Sequence, residues 1–145
     1  MKPLLLLALI VVSGLPQIYG DLLQFSRMIK SKTGKNALLS YGAYGCHCGK
    51  GGRGTPKDAT DWCCARHDCC YKNLKKLSCG TKLLKYDYTI AGSSITCKAN
   101  QSSCQKQLCE CDKAAASCFA QNLKSYKKIY QTYPNLMCRG KTPSC

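Results

Sequence analysis

Fourteen cysteines in a chain of 145 residues restrict the fold more than any other feature, and their spacing matters as much as their number. Cys63 and Cys70 stand seven residues apart, as do Cys111 and Cys118. Seven residues make two turns of α-helix, so each pair lies on one face of its own helix. Two such helices lying antiparallel can be joined by two rungs, and that order requires Cys63 with Cys118 and Cys70 with Cys111. An even cysteine count at this density implies a disulfide framework formed in an oxidising compartment, each bridge contributing about 2–4 kcal/mol by restricting the unfolded chain. A Cys/His zinc cluster is the competing reading. The adjacent steps Cys63-Cys64 and Cys69-Cys70 lack the Cys-x-x-Cys spacing of structural zinc sites.

The N-terminus agrees with an oxidising destination. Lys2, the apolar run Leu4 to Val12, Ser13-Gly14 and the small residue Gly20 have the layout of a cleavable secretory signal. Residues 1–20 are expected to be that signal, and residues 21–145 a single secreted, extracellular domain acting as a monomer. The rival, a signal anchor, is short of the roughly 20 apolar residues that span a bilayer, and no later segment is comparably apolar. The net charge of +15 points to an anionic partner. Lysines and arginines are scattered rather than interleaved with aromatics, so anionic lipid or sulfated glycan such as heparan sulfate is expected, and nucleic acid is not. A solvated basic surface without a dedicated partner is the alternative.

Asp21 to Lys32 reads as a short amphipathic helix, with Leu22, Phe25, Met28 and Ile29 on one face and Arg27 and Lys30 on the other. Leu23 falls among the polar positions, where it is either a membrane toe-hold or an ordinary exposed leucine. Thr33 to Pro56 holds seven glycines without a sustained period and is expected to be loop. A helix restarts after Pro56, capped by Asp58 or Thr60, and runs to about Leu74. Lys82 to Thr96 reads as a small hairpin, Ser102 to Ser125 as a second long helix, and Pro134 to Cys145 as an irregular tail.

The antiparallel register sets His67 and Asp112 within about one turn of each other at the seam between the long helices. Either residue alone is more often structural. Together they form a dyad in which the carboxylate holds one ring nitrogen and leaves the other free to accept a proton. No Gly-x-Ser-x-Gly turn occurs and the cysteines are consumed in bridges, so water is the expected nucleophile, attacking an ester carbonyl. The developing oxyanion needs a positive partner. Asp68, beside the base, can bind a hard cation, and Gly49, Gly51 and Gly52 allow a loop to turn main-chain carbonyls inward; that donor set suits calcium rather than zinc.

Three motifs carry a family resemblance. Tyr44-Gly45-Cys46-His47-Cys48-Gly49-Lys50-Gly51-Gly52, the run Asp61 to Cys70, and Cys109-Glu110-Cys111-Asp112-Lys113-Ala114-Ala115 resemble the calcium loop and the two active-site signatures of secreted phospholipase A2, and the chain is most similar to group IIA of the group II branch. The resemblance covers essentially the whole chain. It implies a mainly α, disulfide-rich single domain: two long antiparallel helices cross-linked by disulfides, an N-terminal amphipathic helix, a calcium-binding loop and a small two-stranded β-hairpin. It implies that His67 is the general base and Asp112 its orienting partner, with Ca2+ held by the main-chain carbonyls of His47, Gly49 and Gly51 and by the Asp68 carboxylate. Further bridges implied are Cys46–Cys138, Cys48–Cys64, Cys69–Cys145, Cys79–Cys104 and Cys97–Cys109.

By the same resemblance Tyr71 and Tyr86 correspond to tyrosines bonded to the dyad carboxylate, ordinary core tyrosine being the alternative. Leu22, Phe25 and Ile29 would line an acyl-chain route, although a packed core face has the same periodicity. The activity implied is calcium-dependent hydrolysis of the sn-2 ester of glycerophospholipids at membrane interfaces, favouring anionic membranes such as bacterial envelopes. Some members of the family carry lysine in place of the calcium-binding aspartate and lose hydrolysis; Asp68 is intact here. Trp62 departs from the arginine of close group IIA relatives. Asn100-Gln101-Ser102 matches a glycosylation sequon. The second functional reading is a non-enzymatic cationic protein that binds membrane, receptor or heparan sulfate. A purely structural disulfide scaffold would leave the His-Asp-glycine constellation without a use.

Overall fold

The computed structural model describes residues 20–145, so the expected signal segment lies outside the described residues except for Gly20. In chain order the elements are α1 (Gly20–Thr33), α2 (Ala37–Tyr41), α3 (Ala59–Lys76), the strands β1 (Tyr88–Ala91) and β2 (Ser94–Cys97), and α4 (Ser103–Gln121), followed by three short 3-10 turns. Helix α4 packs against both α1 and α3. Among the described residues no helix is long and apolar enough to cross a membrane.

The ends of the long helices are set by local chemistry. Asp58 caps α3 by accepting from the Asp61 amide at 2.9 Å, choosing between the two caps the sequence offers. At the other end Ser78 takes a left-handed φ of 64°, while the amides of Ser78 and Cys79 bond back to the carbonyls of Lys75 and Leu74. This is a Schellman stop, with serine in the place glycine usually fills. Helix α4 opens on a reciprocal capping box between Ser102 and Gln105. It ends at Gln121, earlier than the expected Ser125. Asn122 turns its side chain back to the Cys118 carbonyl at 2.8 Å, and the chain continues as the 3-10 turn Leu123–Ser125.

Two further expectations need correction. The segment read as continuous loop contains α2, because Asn36 caps it by accepting from the Leu39 amide at 3.0 Å and Gly42 closes it. Asn36 is a strong N-cap, and a five-residue helix is too short to show the periodicity on which the sequence reading relied. The hairpin is also shorter than Lys82 to Thr96 and displaced toward the C-terminus. Its register pairs Tyr88 with Cys97 and Ala91 with Ser94, and Gly92 at φ 61° opens the two-residue turn as a type II′ turn requires. Tyr86 precedes the strand and is buried instead of alternating. Asn100 is exposed in the turn before α4.

All fourteen cysteines are paired. Cys63–Cys118 and Cys70–Cys111, each with Cα atoms 5.8 Å apart, join α3 to α4 in the expected antiparallel order. The other bridges are Cys46–Cys138, Cys48–Cys64, Cys69–Cys145, Cys79–Cys104 and Cys97–Cys109. The apolar interior is small, centred on Met28, Ile29, Tyr41, Ile95, Leu108 and Phe119 with buried cystines among them, and Tyr41 stacks on Phe119 with centroids 4.0 Å apart. Cross-links therefore supply rigidity that a core of this size does not. Replacing Cys63 and Cys118 together by alanine is expected to lower unfolding stability by about 2–4 kcal/mol in guanidinium titrations, with far-ultraviolet dichroism retained.

Candidate functional site

The site lies where α3 is fastened to α4, and its centre is a carboxylate removed entirely from water. Asp112 on α4 has 0% relative exposure, and a buried charge persists only if it is fully hydrogen-bonded. Its Oδ1 accepts from His67 Nε2 at 2.7 Å and from the Tyr71 hydroxyl at 2.6 Å, and its Oδ2 from the Tyr86 hydroxyl at 2.5 Å. His67 and Tyr71 are one turn apart on α3, with rings 4.4 Å apart. Tyr86 arrives from the segment before β1. Burial, then the Asp112 charge, pushes the Tyr86 hydroxyl well above the usual tyrosine range, so it remains a donor.

A carboxylate can only accept, so His67 Nε2 must carry its hydrogen and Nδ1 keeps its lone pair. The imidazole is held on its face as well: Phe25 from α1 stacks on it with centroids 4.4 Å apart and planes at 14°. The His67 side chain is 12% exposed, enough for a small reactant to reach it and too little for bulk water to surround it.

Asp68, the next residue on α3, has a different environment. It is half-buried, and among the described residues its side chain makes no hydrogen bond or ion pair. Burial raises its carboxyl above the ordinary range, while the imidazoles of His67 and His47 and the Lys72 ammonium pull the other way. It borders an open cleft of about 820 Å³ together with Gly49, Gly51 and Gly52. The Gly52 backbone lies against it, a Cβ there falling 3.5 Å from Asp68 Oδ2.

The loop facing Asp68 is held in place by a second buried carboxylate. Asp61 in the first turn of α3 has 0% exposure; its Oδ2 accepts from the amides of Cys46 and Lys57, and its Oδ1 from the amide of His47, all at 2.8 Å. Gly45 is required beneath it, because a Cβ at that position would stand 2.4–2.7 Å from the Asp61 carboxyl atoms. The His47 ring is buried and donates through Nε2 to the Gly54 carbonyl at 2.8 Å, which closes the loop across its base. Gly49 approaches so closely that a Cβ would meet the Gly42 carbonyl oxygen at 1.8 Å. Cys46–Cys138 and Cys48–Cys64 fasten the loop at the same end.

Among the described residues no three side chains of His, Cys, Asp or Glu converge to hold a metal. Any ion here would depend on main-chain oxygens around the single Asp68 carboxylate. An unpaired half-buried carboxylate facing a glycine-rich loop fits a hard cation with oxygen preference, and offers nothing to a thiophilic one.

The structure thus brings His67, Asp112, Tyr71 and Tyr86 into one hydrogen-bonded group and sets Asp68 opposite the loop of His47, Gly49 and Gly51. Of the three apolar residues assigned to an acyl route, Phe25 touches His67, Ile29 is buried one turn further along α1, and Leu22 is 51% exposed. Two features escaped the sequence reading. Asp61 looked like the first letter of a motif, although an acidic residue in a helix's first turn, close to a cysteine tied to the loop, is a signal for loop anchoring. The packing of Phe25 against the dyad has no local signal, since it joins residues 42 positions apart.

Comparison with known proteins gives the family to which a chain of this sequence belongs. The family described as Phospholipase A2 matches residues 22–131. The chain is 69% identical to "Phospholipase A2, membrane associated" of Cavia porcellus and 64% identical to the protein of that name from Homo sapiens, over 145 residues and the whole of each chain. It is 49% identical to "Group IID secretory phospholipase A2" of Mus musculus, across 98% of this chain and 99% of that one. With a family match over most of its length and relatives alike from end to end, the chain belongs to the phospholipase A2 family, within its group II secreted branch.

Proposed function

We propose that this protein hydrolyses the sn-2 ester of glycerophospholipids at membrane surfaces in a calcium-dependent reaction, releasing a fatty acid and a lysophospholipid. The observation that carries the reading is the pairing, on adjacent residues of α3, of an imidazole oriented by Asp112 with a half-buried carboxylate that, among the described residues, makes no hydrogen bond and faces a glycine-rich loop. In the reaction His67 Nδ1 removes a proton from a water molecule as its oxygen attacks the ester carbonyl carbon. The resulting imidazolium is stabilised by Asp112, whose charge is kept in place by the two tyrosine hydroxyls. When the carbon–oxygen bond to glycerol breaks, His67 returns the proton to the leaving alkoxide, and the imidazole is restored.

The main-chain carbonyls of His47, Gly49 and Gly51 and the carboxylate of Asp68 would hold calcium. When bound, the ion would offer positive charge to balance the negative charge that develops on the carbonyl oxygen. Phe25 keeps bulk water from the face of the imidazole. Leu22, Phe25 and Ile29 lie along one side of α1 from its exposed start to its buried turn, a path along which an acyl chain can extend toward the dyad. Leu22 and Leu23 on α1 and Leu38 and Leu39 on α2 are exposed. With the net charge of +15, they supply the apolar and cationic chemistry of a peripheral contact with anionic membrane. The names of the relatives, membrane associated and secretory, support an extracellular, membrane-bound site of action. The same charge favours binding to sulfated glycans such as heparan sulfate independently of turnover.

Three measurements test this reading. His67→Gln is expected to reduce release of labelled fatty acid from phosphatidylglycerol vesicles by about 10³-fold, within the range for loss of a general base, while vesicle binding is unchanged; hydrolysis near the wild-type rate would remove His67 from the mechanism. Chelation is expected to abolish release, and added calcium to restore it; full activity in chelator would exclude the ion. Asp61→Asn keeps the shape but leaves one acceptor oxygen for amides that now use two, so at least one bond to the loop is lost and the rest lose their charge; calcium affinity, followed by isothermal calorimetry, is expected to fall by about tenfold or more with the helices intact.

A further inference from the structure

Two large apolar side chains stand almost free in water on the turn Asn135–Met137: Leu136 is 82% exposed and Met137 55% exposed. The turn that carries them is held firmly. Asn135 donates through Nδ2 to the Lys50 carbonyl at 3.3 Å and accepts from the Arg53 guanidinium on its own carbonyl at 3.4 Å. Its side chain also fills the space beside Gly51, where a Cβ would fall 2.7 Å from Asn135 Oδ1. The next residue after the turn, Cys138, is bonded to Cys46 at the start of the same loop. The apolar pair cannot fold back onto the core while these contacts hold.

Around the pair the chemistry is cationic, with Lys50, Arg53 and Arg139 all exposed. An aliphatic tip within a basic rim suits a lipid interface, where the tip enters the acyl layer and the cations meet headgroup phosphates. A protein partner is disfavoured by size, because two side chains on a three-residue turn fall far below the roughly 800 Å² per side of a stable interface. We propose that Leu136 and Met137 form a lipid anchor that inserts into anionic phospholipid surfaces beside the loop facing Asp68. The anchor deepens the interfacial reading above and rests on it. It is carried by a different segment from the leucines of α1 and α2, and it places the membrane against the loop rather than only against the N-terminal helix.

The test compares wild type with the Leu136→Ser, Met137→Ser double variant by co-sedimentation with phosphatidylglycerol vesicles in chelator, so that hydrolysis does not alter the lipid. The variant keeps every basic residue and removes only exposed side chains. Its apparent Kd is expected to rise by about tenfold or more, since burying one aliphatic side chain is worth about that factor; equal binding would overturn the anchor. A Leu136→Trp substitution in a Trp62→Phe background gives a second readout: quenching by brominated acyl chains supports insertion, and unquenched emission on bound vesicles overturns it. If sedimentation shows wild type as a dimer and the double variant as a monomer, the occupant is a second copy of the chain and the lipid anchor is excluded. Release of fatty acid by wild type is measured in parallel with calcium. Absence of release together with weakened variant binding would refute the proposed activity and leave the anchor standing.

Discussion

An ionised carboxylate excluded from water is stable only where several donors converge on it, and the geometry of this protein follows from meeting that condition at Asp112. Donors come from α3 twice and from the segment before β1 once, so no single element can satisfy it. The helices must therefore be held in register, and the two cystine rungs between α3 and α4 do this. Without them a slide of one helix by a single residue would move its side chains by about 1.5 Å and break bonds that are 2.5–2.7 Å long. The same bonds choose the imidazole tautomer. The stability of Asp112 and the tautomer at His67 thus share one cause.

Asp61 repeats the device at the other half of the site. Its three bonds go to main-chain amides rather than side chains, so it fixes a loop instead of a base. Helix α3 then presents in order a loop-fixing carboxylate at 61, an imidazole held by Asp112 at 67 and an open carboxylate at 68. The first is satisfied by the protein itself, and the last is unpaired among the described residues. That contrast separates structural from functional acid better than residue type does, because burial without partners is the costly state that a bound ion relieves.

The covalent framework also explains how so small an apolar interior supports an exposed apolar surface. Leucines on α1 and α2, and the pair at Leu136 and Met137, lie outside the core and contribute nothing to burial in the free protein. A domain held by seven cross-links can present them without collapsing around them. Their basic neighbours give the surface both the apolar and the cationic chemistry that the proposed contact with anionic lipid would use.

Cysteine spacing put each pair on one helix face and so allowed two rungs between the long helices; the antiparallel order, with which His67 meets Asp112, is the one the bridges adopt. The glycines before Pro56 and the carboxylate at Asp68 suggested a hard-cation loop for a different local reason, the backbone freedom of glycine beside an oxygen ligand. Tertiary structure decided the rest. It made Asp61 an anchor, stacked Phe25 on the imidazole, turned Tyr86 inward ahead of its expected strand, and used Asn36 to place a short helix in what read as loop. Each depends on where a distant segment lies, or on a cap stronger than the missing periodicity, and linear spacing holds no information on either. The sequence carried those contacts that covalent bonds and helical pitch enforce; burial and long-range packing, which exist only once the chain has closed, selected the others.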